Sequence, residues 1–153
     1  MRAHAALLEE LARKVRLDAL ALDDHGECTV SFDSTIVVSF LADNGGLTAV
    51  GFVAELTAFS THITRRLLNY NLVSRALGGA RVAVEPHTGF IIMSRRWPVD
   101  VTPAEAFVED ITAFINGIEA VRQDIEPLRQ AFRPEAGYLR DAVPDMAQRY
   151  SMV

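Results

Sequence analysis

Four histidines, one cysteine and twenty acidic side chains bound the chemistry open to this chain. His4, His25, His62 and His87 fall in four separate stretches. None has a histidine, aspartate or glutamate three or four residues away, the spacing at which a helix face binds metal. His25 and Cys28 are three apart but straddle a turn. A buried apolar-like cysteine beside a surface histidine explains that pair better than a ligand set. Nucleophilic catalysis lacks a Gly-x-Ser-x-Gly elbow, and pairing Cys28 with His62 would rest on residue type alone. Gly78-Gly79-Ala80 lacks the lysine and hydroxyl that handle phosphate and magnesium, and reads as a helix stop. Asp23-Asp24 reads as a solvated turn rather than an acid–base pair. The expectation is no catalytic residue, no metal and no cofactor: a protein that is not an enzyme.

Basic chemistry is equally thin. Arg65-Arg66 and Arg95-Arg96 are the basic doublets. Strand alternation sends Arg95 and Arg96 to opposite faces, so Arg95-Arg96-Trp97 makes no patch for stacking and pairing with nucleic acid. The formal charge is −5, which repels phosphates and anionic lipid. That excess sits in residues 103–126, which carry six acidic side chains against Arg122 alone. A single cysteine excludes an internal disulfide framework. No stretch approaches the roughly 18 apolar residues of a membrane span. Glu9 and Glu10 interrupt any signal-peptide core. A soluble cytoplasmic protein, without membrane insertion, is expected.

The elements that must position these residues follow from periodicity. Leu7, Leu11 and Val15 predict a helix from about Ala3 to Arg16, with Glu10 and Lys14 as an i,i+4 pair. Leu20 and Leu22 alternate. Cys28, Val30 and Phe32 then alternate strictly as a half-buried strand. Ile36 to Phe40 and Leu47 to Ala54 predict two more strands, joined at Asp33-Ser34 and at Asp43-Asn44-Gly45-Gly46. A helix from about Ser60 to Leu77 ends at Gly78-Gly79. A hairpin follows, Arg81 to Val84 and Phe90 to Trp97. The last helix is expected to open with a Thr102-x-x-Glu105 capping box and Pro103 at its first position. Its stripe, Phe107, Ile111, Phe114, Ile118, Val121 and Ile125, ends at Pro127. A packed helix explains that stripe better than a coiled-coil seam of about three heptads.

The order α-β-β-β-α-β-β-α is an α+β fold with a mostly antiparallel sheet, in one domain over residues 1–127. Residues 128–153 read as a tail, partly disordered or holding a short helix. The second helix is apolar on more than one side. One sheet cannot cover every apolar face, so a homodimer or a peptide-binding groove is expected.

These residues, in this order, resemble a class I type III secretion chaperone of the CesT/Tir-chaperone family. The resemblance begins at Leu8 and Leu11. It is sharpest over Leu22 to Asp33, where LDDHGECTVSFD is similar to the family's Leu-Asp-x-x-Gly-x-Cys-x-Leu-x-Phe-Asp run. It continues through Leu67-Leu68, Asn71-Leu72, Gly78-Gly79-Ala80, Thr88-Gly89, Trp97-Pro98, Phe107 and Phe114. Val121 departs from the tryptophan of many members. The resemblance implies an acidic homodimer in the bacterial cytoplasm. Without ATP, such a dimer holds the N-terminal segment of a secreted effector in extended form and delivers it to the secretion apparatus. The secretion ATPase is a further implied partner. It implies dimer contacts at Leu67, Leu68, Asn71, Leu72, Val82 and Val84. Effector contacts are implied at Leu8, Leu20, Leu22, Val30, Phe32, Val38 and Phe40. The face of each strand that meets the effector stays open, because a one-residue slip exchanges the faces. A homodimeric adaptor or regulator of the secretion system on the same fold is the alternative.

Overall fold

A computed structural model describes residues 2–56, 60–72 and 77–131. The element order is α1 (Arg2–Val15), β1 (Glu27–Phe32), β2 (Ile36–Asp43), β3 (Gly46–Glu55), α2 (Thr61–Leu72), β4 (Arg81–Val84), β5 (Phe90–Pro98) and α3 (Ala104–Ala131). The five strands form one antiparallel sheet in the order β1-β2-β3-β5-β4. This is the expected α+β arrangement.

Local chemistry sets the meander. Asp33 and Ser34 both take left-handed φ, 50° and 58°, and Thr35 N–H closes onto the Phe32 carbonyl at 3.1 Å. With Thr35 they make a three-residue connection, since the next paired residue after Phe32 is Ile36. The register it sets puts Val30 opposite Val38 and Phe32 opposite Ile36, all on one face. This face meets the α3 stripe. Phe107, Phe114, Ile118, Val121 and Ile125 are fully buried, so the stripe is a helix packed on a sheet. Gly51 lies under that helix, where a Cβ would press on Ile118 Cδ1 and stand 3.3 Å from Phe114 Cε1. The missing side chain lets α3 approach the sheet.

Polar bonds pin the helices at defined heights. His4 is buried on α1, and its Nε2–H donates to the carbonyls of Gly46 (2.9 Å) and Asp43 (3.2 Å). Asp110 of α3 pairs with Arg95 and accepts from Trp97 Nε1 at 2.9 Å. The Arg95 guanidinium also lies 4.9 Å over the Trp97 ring. Asp124 accepts from Arg66 Nε at 2.5 Å and from the Tyr70 hydroxyl at 2.7 Å, which ties α3 to α2. That guanidinium holds the Asp124 carboxyl below the ordinary carboxylate range. Burial, with the carboxylate alongside, pushes the Tyr70 phenol up to about 12.

Several sequence expectations change. Glu10 pairs with Arg13, one position nearer than Lys14. The Thr102 hydroxyl donates to the Pro98 carbonyl at 2.7 Å, and α3 begins at Ala104, so no capping box is seen there. Phe107 N–H instead reaches the Pro103 carbonyl at 2.9 Å. Pro127 does not end α3, which runs on to Ala131. Proline removes one helical bond, but Arg129 holds the turn beyond it, donating to the Glu55 carbonyl at 3.0 Å and to Glu126 at 2.7 Å. Arg95 is largely covered by Asp110 and Trp97. The described part of the second helix is Thr61–Leu72. The expected tail beyond Ala131 lies outside the described residues.

Candidate functional site

The sheet has two edges, β1 and β4, and their main chains are treated differently. In an antiparallel ladder both polar groups of a residue point to the same side, and the side alternates. Ala42 N–H donates to the Gly26 carbonyl, so Gly26, Cys28, Val30 and Phe32 face β2. Glu27, Thr29 and Ser31 face outward. Glu27 is already satisfied: Asp23 N–H donates to its carbonyl at 2.8 Å, and its own N–H donates to Asp23 Oδ1 at 2.9 Å. Asp23 Oδ1 also accepts from His25 N–H, so the expected solvated turn is an Asx-type plug. These donors, the Glu27 amide foremost, lower the Asp23 carboxyl from its ordinary value. Thr29 and Ser31 have no main-chain partner on that side among the described residues. They form the open edge.

Two apolar clefts flank it. One, of about 360 Å³, lies between α1 and the Leu20–Asp23 segment and is lined by Arg2, Ala5, Glu9, Leu20 and Leu22. The other, of about 380 Å³, lies at the far end of β1 between α1 and α3 and is lined by Leu11, Val15, Leu17, Phe32, Ile111 and Ile115, with Ser31, Asp33, Thr112 and Asn116 among them. Val15 and Leu17 keep 38% and 42% of their surface exposed. Cys28 sits between the clefts on the inner face, and burial pushes its thiol up. It is therefore a packing residue with little thiolate character.

The residues expected at an effector surface divide. Leu20, Leu22 and Phe32 line these clefts. Leu8, Val30, Val38 and Phe40 are 5% exposed or less and belong to the chain's own core. Alternation places Val30, Val38 and Phe40 on the face that α1 and α3 cover, and Leu8 lies on the buried stripe of α1. They build the wall behind the clefts. Val15, Leu17, Ile115, Thr29 and Ser31 were not anticipated. Ile115 carried a readable signal, as an apolar residue off the α3 stripe. The free main chain of Thr29 and Ser31 carried none, because it depends on strand order.

A second apolar surface lies on α2. Leu68 is 61% exposed and Leu72 83%. Leu67 and Val82, expected with them at a dimer contact, are buried within the chain, and Val84 is half-buried. Asn71 is exposed, but its carboxamide is committed: Nδ2 donates to the Val82 carbonyl and Oδ1 accepts from Val82 N–H, both at 2.8 Å. Among the described residues no three His, Cys, Asp or Glu side chains converge as a metal site. No described helix is long and apolar enough to cross a membrane.

Comparison with known proteins places this architecture. The model of the Tir chaperone protein (CesT) family matches residues 6–122. Three solved structures share the fold. The ExsC–ExsE complex matches with a TM-score of 0.69 at 19% identity, over 80% of this chain and 92% of that one. The HopA1–SchA chaperone–effector complex matches at 0.65 and 17% identity, over 79% and 94%. The Yersinia pestis type III secretion chaperone SycH, in complex with a stable fragment of YscM2, matches at 0.63 and 22% identity, over 77% and 98%. No curated protein matches the chain in sequence.

Proposed function

We propose that this chain, which belongs to the Tir chaperone protein (CesT) family, is a type III secretion chaperone whose β1 edge receives an extended segment of a secreted effector. The open main chain of Thr29 and Ser31 between two apolar clefts carries the reading. An added strand makes main-chain bonds there, and its alternate side chains enter the clefts. Bonds at two residues contribute about 1 kcal/mol each, and each aliphatic side chain hidden in a cleft about 2 kcal/mol. One edge therefore holds a segment only modestly once its ordering is included. A two-fold homodimer offers two edges to one wrapped polypeptide, and linkage raises the total without new chemistry.

The effector-facing residues proposed are Leu20, Leu22 and Phe32, with Val15, Leu17 and Ile115 beside them. Leu8, Val30, Val38 and Phe40 support them from beneath. The dimer contact proposed is Leu68 and Leu72 of α2, with Asn71 and Val84 at its margin and Leu67 and Val82 behind. Capture by main-chain pairing and apolar burial needs no ATP and no catalytic group. The segment is kept soluble in the bacterial cytoplasm and handed to the secretion apparatus, where the secretion ATPase is the expected recipient. The solved HopA1–SchA chaperone–effector complex and the type III secretion chaperone SycH bound to a fragment of YscM2 support this reading.

Ser31→Pro tests it. An outward-facing amide on an edge strand tolerates proline, so the fold should survive while the edge is blocked. Tagged wild-type chain should recover a secreted protein from its own bacterium, and Ser31→Pro should recover none. Equal recovery by the variant would overturn capture at β1. Recovery of a regulator with no secreted protein would favour the adaptor reading.

A further inference from the structure

The β4 edge is shut by a side chain. Outward positions on β4 alternate as on β1: Glu85 N–H bonds Phe90 of β5, so Val82 and Val84 face away. Just before the strand, Ala80 N–H is taken up by the Leu77 carbonyl at 3.0 Å. Val82 spends both polar groups on Asn71, donor to acceptor and acceptor to donor. A primary carboxamide presents one acceptor and a donor side by side, the same pair a neighbouring strand would present. Among the described residues only Val84 is left outward on β4, and one residue cannot start a ladder. On β1 two consecutive outward positions, Thr29 and Ser31, stand open.

We propose that Asn71 is an edge guard: by imitating a neighbouring strand at Val82 it closes β4 to strand addition and makes β1 the one receiving edge. Closure of β4 stands by itself. The directing role rests on the proposed capture at β1. An unguarded edge is a template for pairing with any extended chain, a second copy included. The carboxamide blocks it without covering the α2 leucines, so a face-to-face contact through Leu68 and Leu72 remains available.

The test uses the full chain and no effector. Asn71→Ala removes both bonds at Val82. Light scattering over a concentration series should show species larger than the wild-type assembly, growing with concentration, while circular dichroism stays native. Val84→Pro, placed in the Asn71→Ala background, puts a proline at the last outward position and should bring the mass back to that of Val84→Pro alone, measured beside it. Asn71→Asp keeps the acceptor for Val82 N–H but loses the donor to its carbonyl, and should self-associate less than Asn71→Ala. It also serves if Asn71→Ala fails to fold. A natively folded Asn71→Ala with wild-type or smaller mass throughout would overturn the guard. So would larger species that persist after Val84→Pro. Failure here leaves the Ser31→Pro result untouched, and the reverse also holds.

Discussion

Truncating Leu72 to alanine isolates the proposed dimer contact from the fold. Leu72 is 83% exposed and Leu68 61% exposed in the single chain. Hiding a whole leucine from water is worth about 2 kcal/mol. Leu72 therefore offers roughly 1.5 kcal/mol and Leu68 somewhat over 1 kcal/mol, about 3 kcal/mol per protomer together. A two-fold contact uses every residue twice, so the four side chains supply about 6 kcal/mol. Leu72→Ala deletes two copies and should weaken association by about 3 kcal/mol, roughly 100-fold in Kd. Sedimentation equilibrium across nanomolar to micromolar chain reads this directly. The wild type should be near twice 16.8 kDa at micromolar concentration. The variant should dissociate at about 100-fold higher concentration. Because Leu72 is exposed in the chain, its removal should change protomer unfolding, measured at high dilution, by no more than about 0.5 kcal/mol. A mass curve that does not move would refute the contact. A large loss of protomer stability would refute the reasoning, since it would make Leu72 part of the fold.

Three further outcomes follow from the packing and charges. Gly51→Ala should destabilise by about 1–2 kcal/mol in urea unfolding, because the new methyl presses on Ile118 Cδ1. Ile118→Val removes that carbon, so the double variant should be more stable than the sum of the single effects by about 1 kcal/mol, and strict additivity would contradict the close approach. Asp124→Asn should cost about 1 kcal/mol at pH 7, an exposed arginine discounting the bond. The folded Asp124 titrates below its unfolded value, so its stabilisation is present above about pH 4 and fades as pH falls through the folded value. Thermal melts of the two proteins should converge on acidification, and a gap that widened instead would reverse the assignment.

Much of the architecture was legible because it depends on short-range patterning. The period change near Leu20, the alternation of Cys28, Val30 and Phe32, and the stripe from Phe107 to Ile125 each encode one element and its buried face. Arg95 and Arg96 do go to opposite faces, to Asp110 and to Asp43. Errors appeared where a tertiary contact overrode a local signal. Pro127 is a helix stop by local rule, yet Arg129 on Glu55 carries α3 past it. Thr102 had the capping sequence, yet its hydroxyl serves Pro98.

The functional surface divides the same way. The ordered motif from Leu22 to Asp33 identified the family, and the surplus of apolar faces foretold a partner, because composition and periodicity are properties of the chain alone. Which apolar residues reach that partner was decided by three dimensions. Leu8, Val38 and Phe40 look as available in sequence as Leu20 and Phe32, but packing of α1 and α3 on the sheet buries the first three and leaves the last two half-buried beside β1. The sequence places the acidic excess on the last helix without showing its partners. Three of its six acids make ion pairs, Asp110 with Arg95, Asp124 with Arg66 and Glu126 with Arg129. The two edges differ through a contact eleven residues apart, Asn71 to Val82, and through the Asp23 plug at Glu27. Hydrogen bonding at an edge depends on strand order and register, which a linear pattern does not contain.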